Sequence, residues 1–302
     1  MNAIVGYTGF VGSNLYSPDR FQAAYNSKNI AEAYDTKPDL LIYSGVRAEK
    51  YLANNNPEQD FQHIRQAELN IERIKPRKVV LISTIDVFKM PVGVDETSNI
   101  DLNGLQPYGY DRYLLECWVR DNYPNALIVR LPGLFGKNLK KNFIFDYMNL
   151  IPTMLKEEKF KELSKKEPRL KQYYTSQGNG FWKTSVSDRE KALVRELFIN
   201  LGFTAMNFTD SRSIFQFYNL EHLWDDLTIA INNNLTLLHL ATEPVKICDL
   251  YYHLTGKTFV NELNAEPSMY NFRTCFSSLF GVGGDYIYYS NTILNEIKEF
   301  VE

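Results

Sequence analysis

The 302-residue sequence has few of the residues that metal centres, disulfide frameworks and nucleic-acid surfaces require. Its three cysteines are odd in number and lack metal-type spacing, so reduced thiols are the simplest interpretation. The four histidines are scattered along the chain, and no metal cluster is expected. A net charge of −3 without a basic stripe argues against nucleic acid and anionic membrane as main partners.

The sequence also lacks long hydrophobic runs. No stretch of about 18 apolar residues occurs, so no membrane span is expected. The first residues, MNAIVGYTGF, have neither the charged region nor the cleavage site of a signal peptide, which together with reduced cysteines favours a cytoplasmic protein. Hydrophobic residues are nevertheless plentiful at 44%, with 19 phenylalanines and 20 tyrosines. This composition predicts a packed core and excludes a disordered chain.

The segment 2–15, NAIVGYTGFVGSNL, predicts a short strand, a glycine turn and a helix. Gly6, Gly9 and Gly12 follow the strand directly. In dinucleotide sites such glycines make the tight turn, let the backbone approach the pyrophosphate and allow close packing of helix on strand. The helix N-terminus beyond them favours phosphate. The alternative is a glycine-rich turn without a ligand, but the position between strand and helix favours the dinucleotide site.

The next predicted strand, RFQAAYN, ends near Asn26. Sites that select NAD usually have an acid here to bind the adenosine ribose hydroxyls. This chain has Asn26, Ser27 and Lys28 instead, which removes a repulsion against a 2′-phosphate and adds a cation. The pattern gives a slight preference for NADP over NAD, and Lys28 as a solvated turn residue is an equally open alternative.

Strands and helices then alternate along the first half of the chain. Strands are predicted over 39–46, 78–84 and 125–136, and helices over 57–75 and 108–123. This order is typical of an α/β protein with a doubly wound parallel sheet.

The second half of the chain has a different texture. A charged amphipathic helix is predicted over 152–174 with an interruption at Pro168, and a second helix over 185–203 with Ser187 as its N-cap. The segments SIFQFYNLEHLWDDL and TLLHLATEPVKICDLYYHLTG each predict a strand that leads into a helix.

The segment PYGYDRYLLE (107–116) carries the candidate chemistry. Tyr108 and Arg112 are four residues apart on a predicted helix, so both side chains lie on one face and can meet. The alternative is that Tyr108 is an ordinary aromatic at a helix start and Arg112 a surface cation.

In combination, these segments resemble the extended short-chain dehydrogenase/reductase superfamily of nucleotide-sugar epimerases, dehydratases and reductases. The likeness extends over most of the chain, and the short path to the strand at 39–46 is most similar to the branch containing dTDP-dehydrorhamnose reductase. The matching segments are the three glycines, LISTIDVF (81–88), PYGYDRYLLE against P-Y-G-x-S-K-x-x-x-E, VRLPGLFG (129–136), and the two later segments 215–227 and 238–250.

The resemblance implies a doubly wound parallel (Rossmann) sheet with a smaller, mostly helical substrate-binding domain. It places the Rossmann domain at 1–141 and the substrate-binding domain at 142–302, with about 213–243 returning to the Rossmann sheet. It also implies homodimerisation through the helices 57–75 and 108–123.

The resemblance further implies an NAD(P)-dependent oxidoreductase or epimerase that acts on a nucleotide-activated sugar. Tyr108 would be the general acid/base during hydride exchange at nicotinamide C4, and Thr84 would hydrogen-bond the substrate oxygen. A tyrosine has a pKa of about 10, so Arg112 would lower that pKa. Dehydration remains an open alternative, because dehydratases of this superfamily have an acidic residue beside the catalytic Ser or Thr, and Asp86 lies two residues after Thr84. The cofactor-binding positions implied are Gly6, Thr8, Gly9, Phe10, Val11, Gly12, Asn26, Ser44, Gly45, Tyr108 and Arg112.

One position departs from the family pattern. Arg112 stands where the family has the lysine that also binds the nicotinamide ribose, and guanidinium and ammonium are not interchangeable at a tight site. The alternative function is therefore a non-catalytic NAD(P)-binding sensor or scaffold.

Overall fold

A computed structural model describes residues 1–302. It contains thirteen strands and ten α-helices. The strands are β1 (Asn2–Val5), β2 (Ala23–Tyr25), β3 (Leu40–Tyr43), β4 (Lys78–Thr84), β5 (Leu127–Leu131), β6 (Gly133–Phe135), β7 (Met154–Lys156), β8 (Tyr174–Ser176), β9 (Phe181–Thr184), β10 (Ile214–Phe215), β11 (Phe217–Asn219), β12 (Leu237–His239) and β13 (Val245–Lys246). The helices are α1 (Phe10–Leu15), α2 (Lys50–Asn55), α3 (Pro57–Ile74), α4 (Pro107–Asn122), α5 (Phe143–Asn149), α6 (Glu157–Lys166), α7 (Lys191–Asn200), α8 (Leu223–Asn232), α9 (Ile247–Thr255) and α10 (Ser290–Val301).

The central sheet has six strands in the order β12-β5-β4-β3-β1-β2, and every neighbouring pair is parallel. Its inner strands are uncharged or nearly so, as expected for a sheet covered on both faces. The predicted doubly wound parallel sheet is confirmed. Because β2 and β3 lie on opposite sides of β1, the chain reverses its winding direction at the carboxyl end of β1, where open α/β sheets bind ligands.

Helices cover both faces of the sheet. On one face, α3 and α4 contribute Ile64, Ile71, Leu115 and Val119 to a buried cluster. On the other face, α1 and α8 pack through buried apolar side chains that include Leu15, Leu223, Leu227 and Ala230. The burial of both faces holds the carboxyl ends of β1, β3 and β4 at one edge.

The segment 152–184 differs from its prediction, whereas the helix predicted over 185–203 is present as α7, with Glu190 at its N-cap in place of the predicted Ser187. The single helix predicted over 152–174 is wrong at both ends, where the chain forms β7 and β8, and only α6 is α-helical. These two strands pair antiparallel with β9 to form a separate three-stranded sheet. Phe160 of α6 stacks on Trp182 of β9 at a centroid distance of 4.0 Å, and the segment has its own buried cluster.

The remaining elements connect this segment to the central sheet. β6 pairs with β11 in parallel, and β10 pairs with β13 antiparallel. The helices α5, α9 and α10 pack around these pairs through a cluster containing Phe143, Ile247 and Ile293. None of the helices combines the length and the apolar character that a membrane crossing requires.

Candidate active site

The glycine turn after β1 is tightly constrained. Gly6 has a φ of +91°, a conformation that side chains disfavour. A Cβ atom on Gly12 would lie 2.1 Å from the Gly6 carbonyl oxygen, so α1 can approach the turn only without a side chain there. Thr8 and Gly9 at the tip are exposed, whereas Phe10 and Val11 are half-buried at the start of α1.

The end of β3 lies against this turn. A Cβ atom on Gly6 would lie 2.6 Å from the Ser44 carbonyl oxygen and 2.8 Å from Cα of Gly45. The Ser44 hydroxyl donates to the Val5 carbonyl at 2.9 Å, which ties the two strand ends together. The structure therefore brings together the glycine turn, Ser44 and Gly45 at the point where the sheet reverses its winding.

Asn26 lies where the sequence predicts it, directly after β2. Its side-chain oxygen accepts a hydrogen bond from the Lys28 backbone N–H at 2.9 Å, and its own N–H donates to the Asn29 side chain at 2.8 Å. Lys28 is exposed. The turn thus offers an amide and a cation, and no carboxylate, near the edge of the sheet.

The start of α4 fixes the position of Tyr108. Pro107 occupies the first turn, where its missing N–H costs no hydrogen bond, and the Asn54 side chain of α2 accepts from the Tyr108 N–H at 3.0 Å. A Cβ atom on Gly109 would lie 2.0 Å from the Asp86 carbonyl oxygen. Glycine at 109 therefore lets α4 contact the loop after β4, which holds Tyr108 beside Thr84.

The phenol of Tyr108 is buried, with 7% of the residue exposed. Burial raises the pKa of Tyr108 to about 12, while the charge of Arg112 and a hydrogen bond with Thr84 act in the opposite direction. Arg112 thus acts in the predicted direction, but the predicted net lowering is wrong for this structure because desolvation of the phenolate is the larger effect. At neutral pH the side chain is a phenol that can donate a proton.

Arg112 lies over the ring of Tyr108, with its Cζ 4.0 Å from the ring centroid. Its guanidinium forms a buried ion pair with both oxygens of Asp60 on α3. Further donors bind the Arg47 carbonyl at 2.5 Å and the Tyr108 carbonyl at 3.2 Å. The cation that the sequence places one turn from Tyr108 is therefore held by protein groups on several sides.

Asp111 is a second buried carboxyl group in this cluster. Burial raises its pKa to about 6, and its hydrogen bond with Asp60 and the charge of Asp60 act in the same direction. Two carboxyl groups therefore lie near one guanidinium, and the repulsion between them favours the protonated form of Asp111.

A cavity of about 270 Å³ opens at the carboxyl ends of β4 and β5. Thr84 and Asp86 lie on one side, and aromatic side chains form much of the remaining wall. Among the lining side chains only Asp86 carries a formal charge. The lining residues are Thr84, Ile85, Asp86, Leu131, Pro132, Gly133, Asn142, Phe143, Thr209, Phe215, Gln216, Phe217 and Tyr270.

Polar contacts fix two of these lining residues. Asp86 accepts a hydrogen bond from the Tyr270 hydroxyl at 2.8 Å and pairs with Lys50 of α2 at 3.0 Å. Gln216 donates to the Thr242 and Phe272 carbonyls at 2.5 and 2.8 Å. The amide of Gln216 therefore holds two backbone segments together, and its donors are not directed at a ligand.

A buried polar network supports Thr84 from behind. The neighbouring Ser83 donates to Glu116 of α4 at 2.5 Å, and Glu116 also binds Arg130 of β5 through a two-pronged ion pair. Arg130 in turn donates to Nε2 of His239 at 3.1 Å. Because the His239 Nδ1–H faces the Arg273 carbonyl at 3.1 Å, the ring is neutral with Nε2 as the acceptor.

This network predicts an unusual titration for His239. Burial, followed by the charge of Arg130, lowers the pKa of His239 to about 3. An unfolded histidine binds its proton near pH 6.5, so the free energy of unfolding should fall by about 1.4 kcal/mol for each pH unit below that value through this residue.

NMR titration of the histidine rings checks this prediction between about pH 8 and about pH 5. The His239 signals should not move. The matched control is His222, whose pKa is raised above its ordinary value by the hydrogen bond that its ring donates to Glu296, so its signals should titrate. The stability from His222 has the opposite sign: it is present at low pH and lost as the pH rises through that raised pKa. A His239 ring that protonates near pH 6.5 would contradict the network.

Sequence reasoning missed Asp60. The buried positions of α3 include Asp60, Ile64, Ala67, Ile71 and Ile74, a helical spacing in which Asp60 begins the apolar stripe. An acidic residue at the helical spacing of such an apolar stripe is the sequence signal that could have predicted a buried carboxylate with a charged partner.

The sequence matches no protein-family model and no curated protein. Solved structures are nevertheless similar over nearly the whole chain. The dTDP-4-dehydrorhamnose reductase of Bacillus anthracis str. Ames in complex with NADP has 16% identity and a TM-score of 0.62, covering 99% of this chain and 96% of that chain. The UDP-N-acetylglucosamine 4-epimerase of Methanobrevibacter ruminantium M1 has 11% identity and a TM-score of 0.63, with coverages of 99% and 96%.

A third structure is named by its superfamily. A short-chain dehydrogenase/reductase superfamily protein of Agrobacterium tumefaciens with bound NAD has 15% identity and a TM-score of 0.58, covering 100% of this chain and 95% of that chain. Identities at this level establish the fold. The comparisons thereby confirm the predicted Rossmann-type fold, which these solved structures share.

Proposed function

We propose that the protein is an NAD(P)-dependent oxidoreductase or epimerase that acts on a nucleotide-activated sugar. The observation that carries the proposal is the position of Thr84 and Tyr108. They lie side by side at one end of the sheet, at the edge where the glycine turn also lies. Thr84 lines the cavity of about 270 Å³, whereas Tyr108 is adjacent to Thr84 and is not itself one of the lining residues. Ligand pockets commonly measure about 300–1,000 Å³, so this cavity suits a group the size of one sugar ring.

The residues at the edge of the sheet fit a dinucleotide. Gly6 and Gly12 leave no room for a Cβ atom, which gives the tight turn and the close helix–strand packing of a dinucleotide site, and the exposed Gly9 between them is where the backbone would approach a pyrophosphate. Thr8, Gly9, Phe10 and Val11 would border the pyrophosphate, Asn26 the adenosine ribose, and Ser44, Gly45, Tyr108 and Arg112 the rest of the cofactor. The turn at Asn26 and Lys28 favours NADP slightly.

The protein residues then have defined roles in reduction of a ketone. NADPH, when bound, would supply the hydride. Tyr108, a phenol at neutral pH, donates its proton to the substrate oxygen, and the Thr84 hydroxyl donates a second hydrogen bond to that oxygen. Arg112 beside the ring stabilises the phenolate that remains. The aromatic wall of Phe143, Phe215 and Tyr270 excludes water from the sugar.

The proposal is tested with purified protein, NADPH or NADH, and a panel of 4-keto nucleotide sugars. Loss of the reduced nicotinamide absorbance with at least one sugar is expected, with NADPH the better cofactor. Two results would argue against an enzyme of this class: calorimetry that detects no binding of NADPH or NADH, or an absence of turnover with every sugar of the panel.

The glycine turn gives a prediction that needs no substrate. Gly12→Ala places a methyl group against the Gly6 carbonyl and forces α1 away from β1, an overpacking that typically costs about 1–3 kcal/mol. The dissociation constant of NADPH should therefore rise by about ten-fold or more, measured by calorimetry. Gly283→Ala is the matched control, because a Cβ atom there meets nothing within 4 Å. Equal affinity in the two variants would contradict this role of the turn.

The contacts of Arg112 favour a second candidate function, a non-catalytic NAD(P)-binding sensor or scaffold. Asp60 and two backbone carbonyls occupy guanidinium donors that a ribose would otherwise use. Arg112→Lys separates the two functions. If the natural protein is inactive and the lysine variant turns over a sugar nucleotide, the sensor is favoured; turnover by the natural protein excludes it.

We also propose the two-domain organisation that the resemblance implies. Residues 1–141 bind the cofactor and residues 142–302 the substrate, with 213–243 returning to the first part. A cytoplasmic homodimer through α3 and α4 completes the proposal. Phe61 and Leu69 of α3 are 37% and 43% exposed, and light scattering would report whether this face is covered by a second copy.

A further inference from the structure

Arg112 replaces a lysine in the family pattern, and the surroundings of Arg112 show how this chain accommodates the change. A guanidinium has five donors in a planar fork, and a bidentate carboxylate is its best partner. Asp60 provides that partner: both its oxygens bind Arg112, and the two side chains are 8% and 5% exposed. Asp60 itself does not line the cavity that holds Thr84.

Of the groups that hold the cation, Asp60 is the only charged one with two contacts, while the Arg47 and Tyr108 carbonyls accept one hydrogen bond each. The Cα atoms of α3 and α4 are fixed by packing, so a two-point contact with Asp60 leaves the guanidinium little freedom to rotate away from Tyr108. Its Cζ then lies 4.0 Å from the ring centroid, within the range of a cation–π contact. We propose that Asp60 is a positioning residue, whose carboxylate holds the Arg112 guanidinium over the ring of Tyr108 so that this cation can take the place of the family's lysine. The inference rests on the proposed function for its catalytic meaning.

The negative charge of Asp60 and the position that Asp60 imposes on Arg112 have opposite effects on the pKa of Tyr108. The proposal can be tested because these two effects can be separated. As a negative charge, Asp60 raises the pKa of Tyr108. As an anchor, it keeps Arg112 close, which lowers that pKa. Other ionisable groups around the cluster are Asp86 on the loop after β4, Asp111 on α4, Lys50 on α2, and Lys141 and Tyr270.

The experiment places 3,5-difluorotyrosine at position 108 and follows its ionisation by fluorine NMR. Asp60→Asn removes the charge but keeps an acceptor for the guanidinium, so the pKa of the phenol should fall. Asp60→Ala removes both, so the guanidinium should leave and the pKa should rise by about one unit. Both variants are made in an Asp111→Asn background, because the neighbouring carboxyl group could otherwise bind Arg112. Shifts of opposite sign support the proposal; a fall in both variants overturns it.

A second measurement decides the question if the alanine variant does not fold. In the unsubstituted protein, the Arg112 Nη protons should give separate NMR signals shifted by the Tyr108 ring current, with Arg112→Lys providing the assignment. A single averaged signal without a ring-current shift would show a free guanidinium and overturn the proposal. Neither measurement needs turnover, so positioning by Asp60 and the proposed enzymatic function can fail independently.

Discussion

Tyr108→Phe is expected to lower kcat for the proposed reduction of a 4-keto nucleotide sugar by about 10²- to 10⁴-fold, the usual contribution of a positioned general acid. The substitution removes only the hydroxyl group that donates the proton. Its ring still fills the site between Arg112 and Thr84, so the fold should be unchanged and the NADPH affinity should change far less than kcat. Steady-state kinetics at saturating NADPH, together with calorimetric binding of NADPH, measure the two effects separately.

Tyr110→Phe is the matched control for this variant. It removes a phenol hydroxyl from the same helix turn, but Tyr110 is 38% exposed. Its kcat should equal that of the natural protein. If Tyr108→Phe retains full activity, or if both variants lose activity equally, Tyr108 is not the proton donor.

The raised pKa of Tyr108 also determines which protonation state the side chain has at the start of the proposed reaction. A phenol with a pKa of about 12 is protonated at neutral pH, and it can give a proton to a ketone without prior ionisation. Oxidation of an alcohol would start from the phenolate, which the charge of Arg112 stabilises. In the proposed ketone reduction, the side chain is therefore already in its proton-donating form at neutral pH.

Much of the central sheet could be predicted from the sequence, because local pattern and burial agree there. β4 spans the predicted residues 78–84, a β-branched and uncharged stretch that is buried in the sheet. The helix predicted over 57–75 corresponds to α3, which has Pro57 in its first turn. These elements fix the edge of the sheet at which the predicted glycine turn, Thr84 and Tyr108 meet.

The face of a helix was harder to predict than its existence. Phe61 and Leu69 are apolar, yet they are 37% and 43% exposed, whereas Asp60 is buried. The partner that makes this burial possible, Arg112, is 52 residues away in the sequence. No local pattern contains that pairing, so both the buried acid and the resulting position of the cation required the structure.

The secondary structure of the segment 152–184 was predicted wrongly for a similar reason. Met154 pairs with Lys183, and Tyr174 pairs with Thr184, so the three-stranded sheet depends on contacts across the segment. Within each strand the charged and apolar residues fit a helical period as well as a strand period. Tertiary pairing decides between the two.

The direction of the Tyr108 pKa shift is a further property that could not be predicted from the sequence. Sequence spacing places a cation beside the phenol and predicts a lowered pKa. Desolvation depends on how completely α4, the loop after β4 and neighbouring side chains enclose the ring. Only the folded structure shows that this enclosure outweighs the cation.

Glu116→Ala is expected to lower the free energy of unfolding by about 3–5 kcal/mol, the usual cost of leaving a buried charge without its partner. Glu116 is fully buried and binds Arg130, which is 2% exposed. Removal of the carboxylate leaves the guanidinium with His239 as its remaining side-chain hydrogen-bond partner, and it also removes the acceptor of the Ser83 hydroxyl. Urea unfolding followed by circular dichroism measures the loss.

Two further variants separate two contributions to the loss of stability, the unpaired buried charge and the lost side-chain volume. Glu116→Gln keeps the shape and one acceptor, so its loss should be smaller than that of the alanine variant. Glu157→Ala breaks an exposed pair with Lys161 and should change stability by less than about 1 kcal/mol. Because Ser83 precedes Thr84, Glu116→Gln should also lower turnover more than Glu157→Ala does. Equal stability of the Glu116 and Glu157 alanine variants would show that the buried network does not support the site.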